Sequence, residues 1–179
     1  MEKLKGLFFN ESLRHWHFED LVRESSYSRE RVNHFLKTLL KEKCILRIKP
    51  KGRMPYYSAQ RESPVFREQK RLQGLQKLSE SGLFEYLCTL PGATTAIIFG
   101  SFARGDWNKT SDIDIFIYGT IKDFDKSTFE KKLGHPLQLF IFNDPKRIKH
   151  DLDPNLIPNI IKGFNVTGRL EPFEVSINA

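Results

Sequence analysis

The chain has 179 residues, enough for one ordinary domain or two small ones, and its 39% apolar content with 15 Phe suits a packed core and argues against disorder. No apolar run reaches the roughly 18 residues that a bilayer crossing needs, the N-terminal MEKLKGLFFNES lacks the long apolar segment of a secretory signal, and Cys44 and Cys88 form no CxxC, so a cytoplasmic protein with reduced thiols and no membrane partner is expected. The net charge is +7 and is unevenly spread: residues 1–70 hold 16 Lys/Arg against 9 Asp/Glu, whereas the remainder holds 13 of each, which points the N-terminal part toward a polyanion.

In chain order, EKLKGLFF predicts a short helix with a Leu4, Leu7 and Phe8 stripe, and residues 17–25 a second with Phe18, Leu21 and Val22 inward. Ser28 is a good N-cap for a third helix, running to Lys43, in which Val32, Phe35, Leu36, Leu39 and Leu40 recur at helical spacing. CILRIK (44–49), a PKGRM turn and PYYSAQ (55–60) predict a small β-hairpin. Three helices followed by a basic hairpin resemble a winged helix-turn-helix module over about residues 1–62. The resemblance makes the third helix the recognition helix for duplex DNA, presenting Arg29, Arg31, Asn33, His34 and Lys37, while Arg47, Lys49, Lys51 and Arg53 of the wing reach phosphates. Such modules commonly dimerise on palindromic sites, so a homodimer is expected.

Residues 63–82 predict a connecting helix, with Ser63 and Pro64 at its start and Val65, Phe66, Leu72, Leu75 and Leu78 along its apolar stripe. The second domain, 83–179, reads as helix (83–89), strand (95–99), a loop, strand (113–118), helix (127–133), strand (136–142), a helical stretch near 154–163 and a last short strand between Gly163 and Gly168. The fold class is α+β: the N-terminal module, then a small mixed-sheet domain with flanking helices.

The loop between the first two strands carries the chemistry. In IIFGSFARGDWNKTSDIDIFI (97–117), Gly100 lets a ligand approach the backbone, Ser101 offers an N–H and a hydroxyl, and Arg104 can pair with a phosphate or a carboxylate. Asp112 and Asp114 stand two apart at a strand start, an alternation that sends both carboxylates to one face. Two hard oxygen ligands beside a phosphate cradle suit Mg²⁺.

Gly100, Ser101, Arg104, Gly105, Ser111, Asp112 and Asp114 meet in full the G-S-x-x-R-G-x5-S-D-x-D signature of the nucleotidyltransferase superfamily of DNA polymerase β, and the segment from about Leu83 to Gly168 most resembles the minimal nucleotidyltransferases. The resemblance implies that Gly100 and Ser101 hold the β/γ-phosphates of a nucleoside triphosphate, with Arg104 and Ser111 in the same site. Asp112 and Asp114 become catalytic acids and ligands of two Mg²⁺, or of one. The implied reaction is transfer of a nucleoside monophosphate to an acceptor hydroxyl of a protein or small molecule. Some related minimal transferases serve as antitoxins that modify a HEPN-family partner, and the resemblance makes such a protein a candidate acceptor.

Active members of that family carry a third carboxylate on the following strand. Here the matching segment is LGHPLQLFIF and the position is Gln138, which cannot accept a proton. The alternative reading is therefore a degenerate, nucleotide-binding transcriptional regulator. Of the other acids, Asp123, Asp125 and Asp144 lie farther along the chain, and Asp106 lies inside the motif loop. Trp107 is expected to pack in that loop or to stack on a base. His15 and His17 lack the company that a metal site needs.

Overall fold

Apolar residues at helical spacing give three helices in the N-terminal part: α1 (Glu2–Asn10), α2 (Phe18–Ser25) and α3 (Arg29–Lys41). Ser28 caps α3, its side chain accepting from the Arg31 amide at 3.3 Å, and Val32, Leu36 and Leu39 bury the inner face. The hairpin strands β1 (Ile45–Ile48) and β2 (Tyr56–Ala59) pair antiparallel, Ile45 opposite Ala59. A further contact, with no signal in the sequence, joins them: Trp16 and Tyr57 exchange two backbone hydrogen bonds of 2.8 Å, adding a third, one-residue rung beside the hairpin.

The computed structural model describes residues 1–170 and 173, so the rest of the C-terminal end of segment 83–179 lies outside the described residues. The chain divides into two units, Met1–Lys70 with Gly105–Lys109, and Arg71–Arg104 with Thr110–Ala179. Five residues of the motif loop thus belong with the N-terminal helices. Trp107 is fully buried there and its Nε1–H donates to the Lys70 carbonyl at 3.2 Å, while the Lys109 amide donates to the Asn10 carbonyl at 3.0 Å.

The connecting segment is one helix, α4 (Pro64–Glu80). Its buried positions are Phe66, Lys70, Gly74 and Leu78, a strict i, i+4 row. Val65 and Leu72, expected in the apolar stripe, are instead 43% and 64% exposed. The stripe departs from the expected one because a lysine occupies a core position. The Lys70 ammonium lies 5.7 Å from the Phe66 ring centre and 5.1 Å from that of Trp107, contacts that offset part of the hydration it gives up. Burial still lowers its pKa to about 8, against the raising influence of Asp106, with Arg61 adding to the fall.

The second unit is built on a four-stranded mixed sheet in the order β5-β4-β3-β6, made of β3 (Ala93–Phe99), β4 (Ile113–Gly119), β5 (Leu137–Phe142) and β6 (Phe164–Thr167). β3 pairs antiparallel with β4 and β6, while β4 and β5 run parallel, joined across helix α7 (Lys126–Leu133). Helices α5 (Leu83–Thr89) and α6 (Gly100–Arg104) pack on β3. One sheet face presents Ile97, Phe99 and Phe116, which form a core with Ile148 and Leu152 of the α8 region (Pro145–Asp151) and Ile160 of α9 (Ile157–Ile161). Helix α8 is additional to the elements expected from sequence, though Asp144 caps it and Pro145 opens it. Among the described residues no helix is long and apolar enough to cross a membrane.

Candidate functional site

β3 ends at Phe99 because Gly100 takes φ +69°, a left-handed conformation that turns the chain into α6. That glycine is required twice over, since a Cβ on it would overlap the Asp114 carboxylate. The antiparallel register sets Asp114 opposite Phe99, and the parallel register sets Gln138 beside Asp114. The glycine turn, Asp114 and Gln138 therefore share one end of the sheet. Phe102 and Ala103 are buried and seat α6, leaving Ser101 half-buried and Arg104 exposed.

Asp114 lies at the margin of an aromatic floor. Along its strand the same face continues to Phe116, and Phe99 and Phe140 pack with ring centres 5.3 Å apart. Burial against this floor pushes the Asp114 pKa up to about 6. The like charge of Asp112 adds to the rise, and Arg104 opposes it. Asp112 precedes the first residue of β4 and is exposed, so it stands outside the ladder and not within it, as strict alternation would have it.

Among the described residues, no group of three or more His, Cys, Asp or Glu could hold a metal ion. What the sheet end offers is two carboxylates and, on the neighbouring strand, one amide side chain. That donor set fits Mg²⁺ arriving with phosphate oxygens and does not fit a cage made by protein alone. A cation would also relieve the repulsion that raises Asp114.

His135 carries no signal in the sequence, where a lone histidine between Gly134 and Pro136 belongs to no periodic pattern. It is buried, its Nδ1–H donates to the Ser111 carbonyl at 2.8 Å, and its ring meets Phe102 edge-on at 5.0 Å. Burial lowers its pKa. The bond to Ser111 opposes that fall, Lys77 adds to it and Asp112 opposes it. The remaining acids have other occupations: Asp125 caps α7, Asp123 accepts the Phe124 amide, and the charge of Asp106 acts on Lys70.

The basic residues assigned to the N-terminal unit are exposed: Arg29, Arg31, Asn33, His34 and Lys37 on α3, and Arg47, Lys49, Lys51 and Arg53 on and beyond β1. Arg29 is engaged with both carboxylate oxygens of Glu19. The Arg31 guanidinium stacks 4.6 Å from the Tyr27 ring centre. His15 stacks on Tyr56 and His17 precedes α2, so neither joins a ligand cluster.

A search of curated proteins gives no match. Residues 80–151, a span that takes in the glycine turn, both acids and Gln138, match the family model of the nucleotidyltransferase domain.

Proposed function

We propose that the second unit binds a Mg²⁺–nucleoside triphosphate and transfers its nucleoside monophosphate to an acceptor hydroxyl. The observation that carries this reading is the meeting of the Gly100 turn and Asp114 at one sheet end, inside the segment that matches the nucleotidyltransferase domain. Gly100 and Ser101 receive the terminal phosphates, with Arg104 and Ser111 beside them, and Asp112 and Asp114 hold the metal. Bound Mg²⁺, two ions or one, neutralises and orients the phosphates. The acceptor oxygen bonds to the α-phosphorus as the bond to the pyrophosphate oxygen breaks, and the hydroxyl proton passes to water because the Gln138 amide cannot take it. The acceptor belongs to a protein, a HEPN-type partner being the candidate, or to a small molecule.

The N-terminal unit, read as a winged helix, binds duplex DNA as a homodimer. Its charge excess and the exposed cations of α3 and the hairpin support this. Both cysteines are free thiols, in keeping with a cytoplasmic protein.

One observation favours a second reading. Gln138, in register with Asp114, occupies the strand position where a third carboxylate would serve, so nucleotide is bound without turnover and regulates DNA affinity. Incubation with Mg²⁺ and α-labelled nucleoside triphosphates, with and without cell extract, separates the two. Label on an acceptor, absent in an Asp112→Asn/Asp114→Asn control, is the expected result for transfer. Mg²⁺-dependent binding with no label moved is the result for the regulator, and no binding at all rejects both.

A further inference from the structure

The sheet leaves the backbone at Asp112 unsupported, because pairing of β4 with β5 begins at Ile113. Two hydrogen bonds from one short segment bracket that residue instead. The His135 Nδ1–H donates to the Ser111 carbonyl at 2.8 Å, and the Ile113 amide donates to the Pro136 carbonyl at 2.9 Å. The imidazole is itself fixed, 7% exposed and perpendicular within a few degrees (84°) to Phe102 of α6, the helix that follows the glycine turn. One ring thus touches both the segment that carries Asp112 and the helix that carries Ser101.

We propose that His135 is a positioning residue of the nucleotide site: by holding the Ser111 carbonyl it sets the direction from which Asp112 meets the metal. This rests on the Mg²⁺–triphosphate reading above. Groups that hydrogen-bond to the segment holding a metal ligand commonly alter metal affinity by about 10–100-fold, orientation of the ligand being one cause. A carbonyl only accepts, so the histidine has to donate from Nδ1. An Asn carboxamide carries an N–H close to where Nδ1 lies, whereas a Gln carboxamide carries it farther out, near Nε2. His135→Asn and His135→Gln therefore differ in reach while sharing one functional group.

The test uses the whole chain and titrates Mg²⁺ into mixtures with ATP, GTP, CTP or UTP, reading nucleotide uptake by calorimetry, with melting temperatures taken alongside. For whichever triphosphate the wild type takes up, His135→Asn is expected to keep its Mg²⁺ midpoint within about threefold, and His135→Gln to raise it about tenfold or more. Equal midpoints for the Asn and Gln variants overturn the inference, whatever their melting temperatures, because a merely structural role does not distinguish the two amides by metal demand. No Mg²⁺-dependent uptake by the wild type overturns the underlying reading, and the inference with it. His135→Ala adds a third measurement, but the Asn–Gln pair decides the matter even where alanine prevents folding.

Discussion

Asp114 carries a stability consequence of its own. Its pKa of about 6 lies above the ordinary carboxylate range, chiefly through burial. At pH below that range the group is protonated whether the chain is folded or not, and its effect is nil. As pH rises toward 6 only the unfolded chain ionises freely, so folding loses ground, and above 6 the loss is complete. Asp114→Asn should therefore raise the melting temperature of the second unit at pH 8, by about 2–4 °C once the group's partial exposure is allowed for, with the gain vanishing near pH 3.5. Calorimetry at several pH values checks this, and a gain that stays constant with pH would remove burial of the charge as its cause. The placement of the Gly100 turn, Asp114 and Gln138 at one sheet end was legible in the sequence because it depends on residue type and spacing: glycine for a left-handed turn, apolar runs for the strands on either side. His135 and Lys70 were not legible. Each acts through what it packs against, and that neighbour, Phe102 in one case and Trp107 in the other, lies more than 30 residues away.

At the level of elements, α3 and the hairpin turn hold the surface that the DNA proposal needs. Neutralising Arg47, Lys51 and Arg53 together should flatten the log–log dependence of duplex affinity on salt by about 0.9 for each phosphate left without its cation. Charge reversal at Arg31 and Lys37 should weaken binding throughout. Filter binding across a salt series reads both, and affinity indifferent to either change removes α3 and the wing from the interface. Helix and strand positions in this unit followed from apolar spacing, helped at α3 by the Ser28 cap. The same logic misplaced the stripe of α4 because counting apolar letters skips a lysine whose stem and ammonium sit between aromatic rings. It also passed over α8, where Ile148 and Leu152 are too few to show a period, although Asp144 and Pro145 carry the start signal. The Trp16–Tyr57 rung has a different cause: a single-residue bridge leaves no alternation to find.

For the whole molecule the informative fact is where the two tryptophans lie. Trp16 and Trp107 both belong to the unit formed by Met1–Lys70 and Gly105–Lys109, so indole emission reports on that unit alone. Truncating the fully buried Trp107 to alanine should destabilise it by about 3–5 kcal/mol, seen as a lower denaturant midpoint in the fluorescence of the remaining Trp16. An unmoved midpoint would mean that residues 105–109 contribute nothing to that unit's stability.

The chain passes between the units three times, after Lys70, Arg104 and Lys109. No single cut yields two self-sufficient fragments. A piece beginning at Arg71 would carry the indole of Trp107 and the charge of Asp106 without the residues that house them, and a piece ending at Lys70 would keep a hole where that indole belongs. Swapping either half for a homologous one at the obvious seam would transmit the same defect.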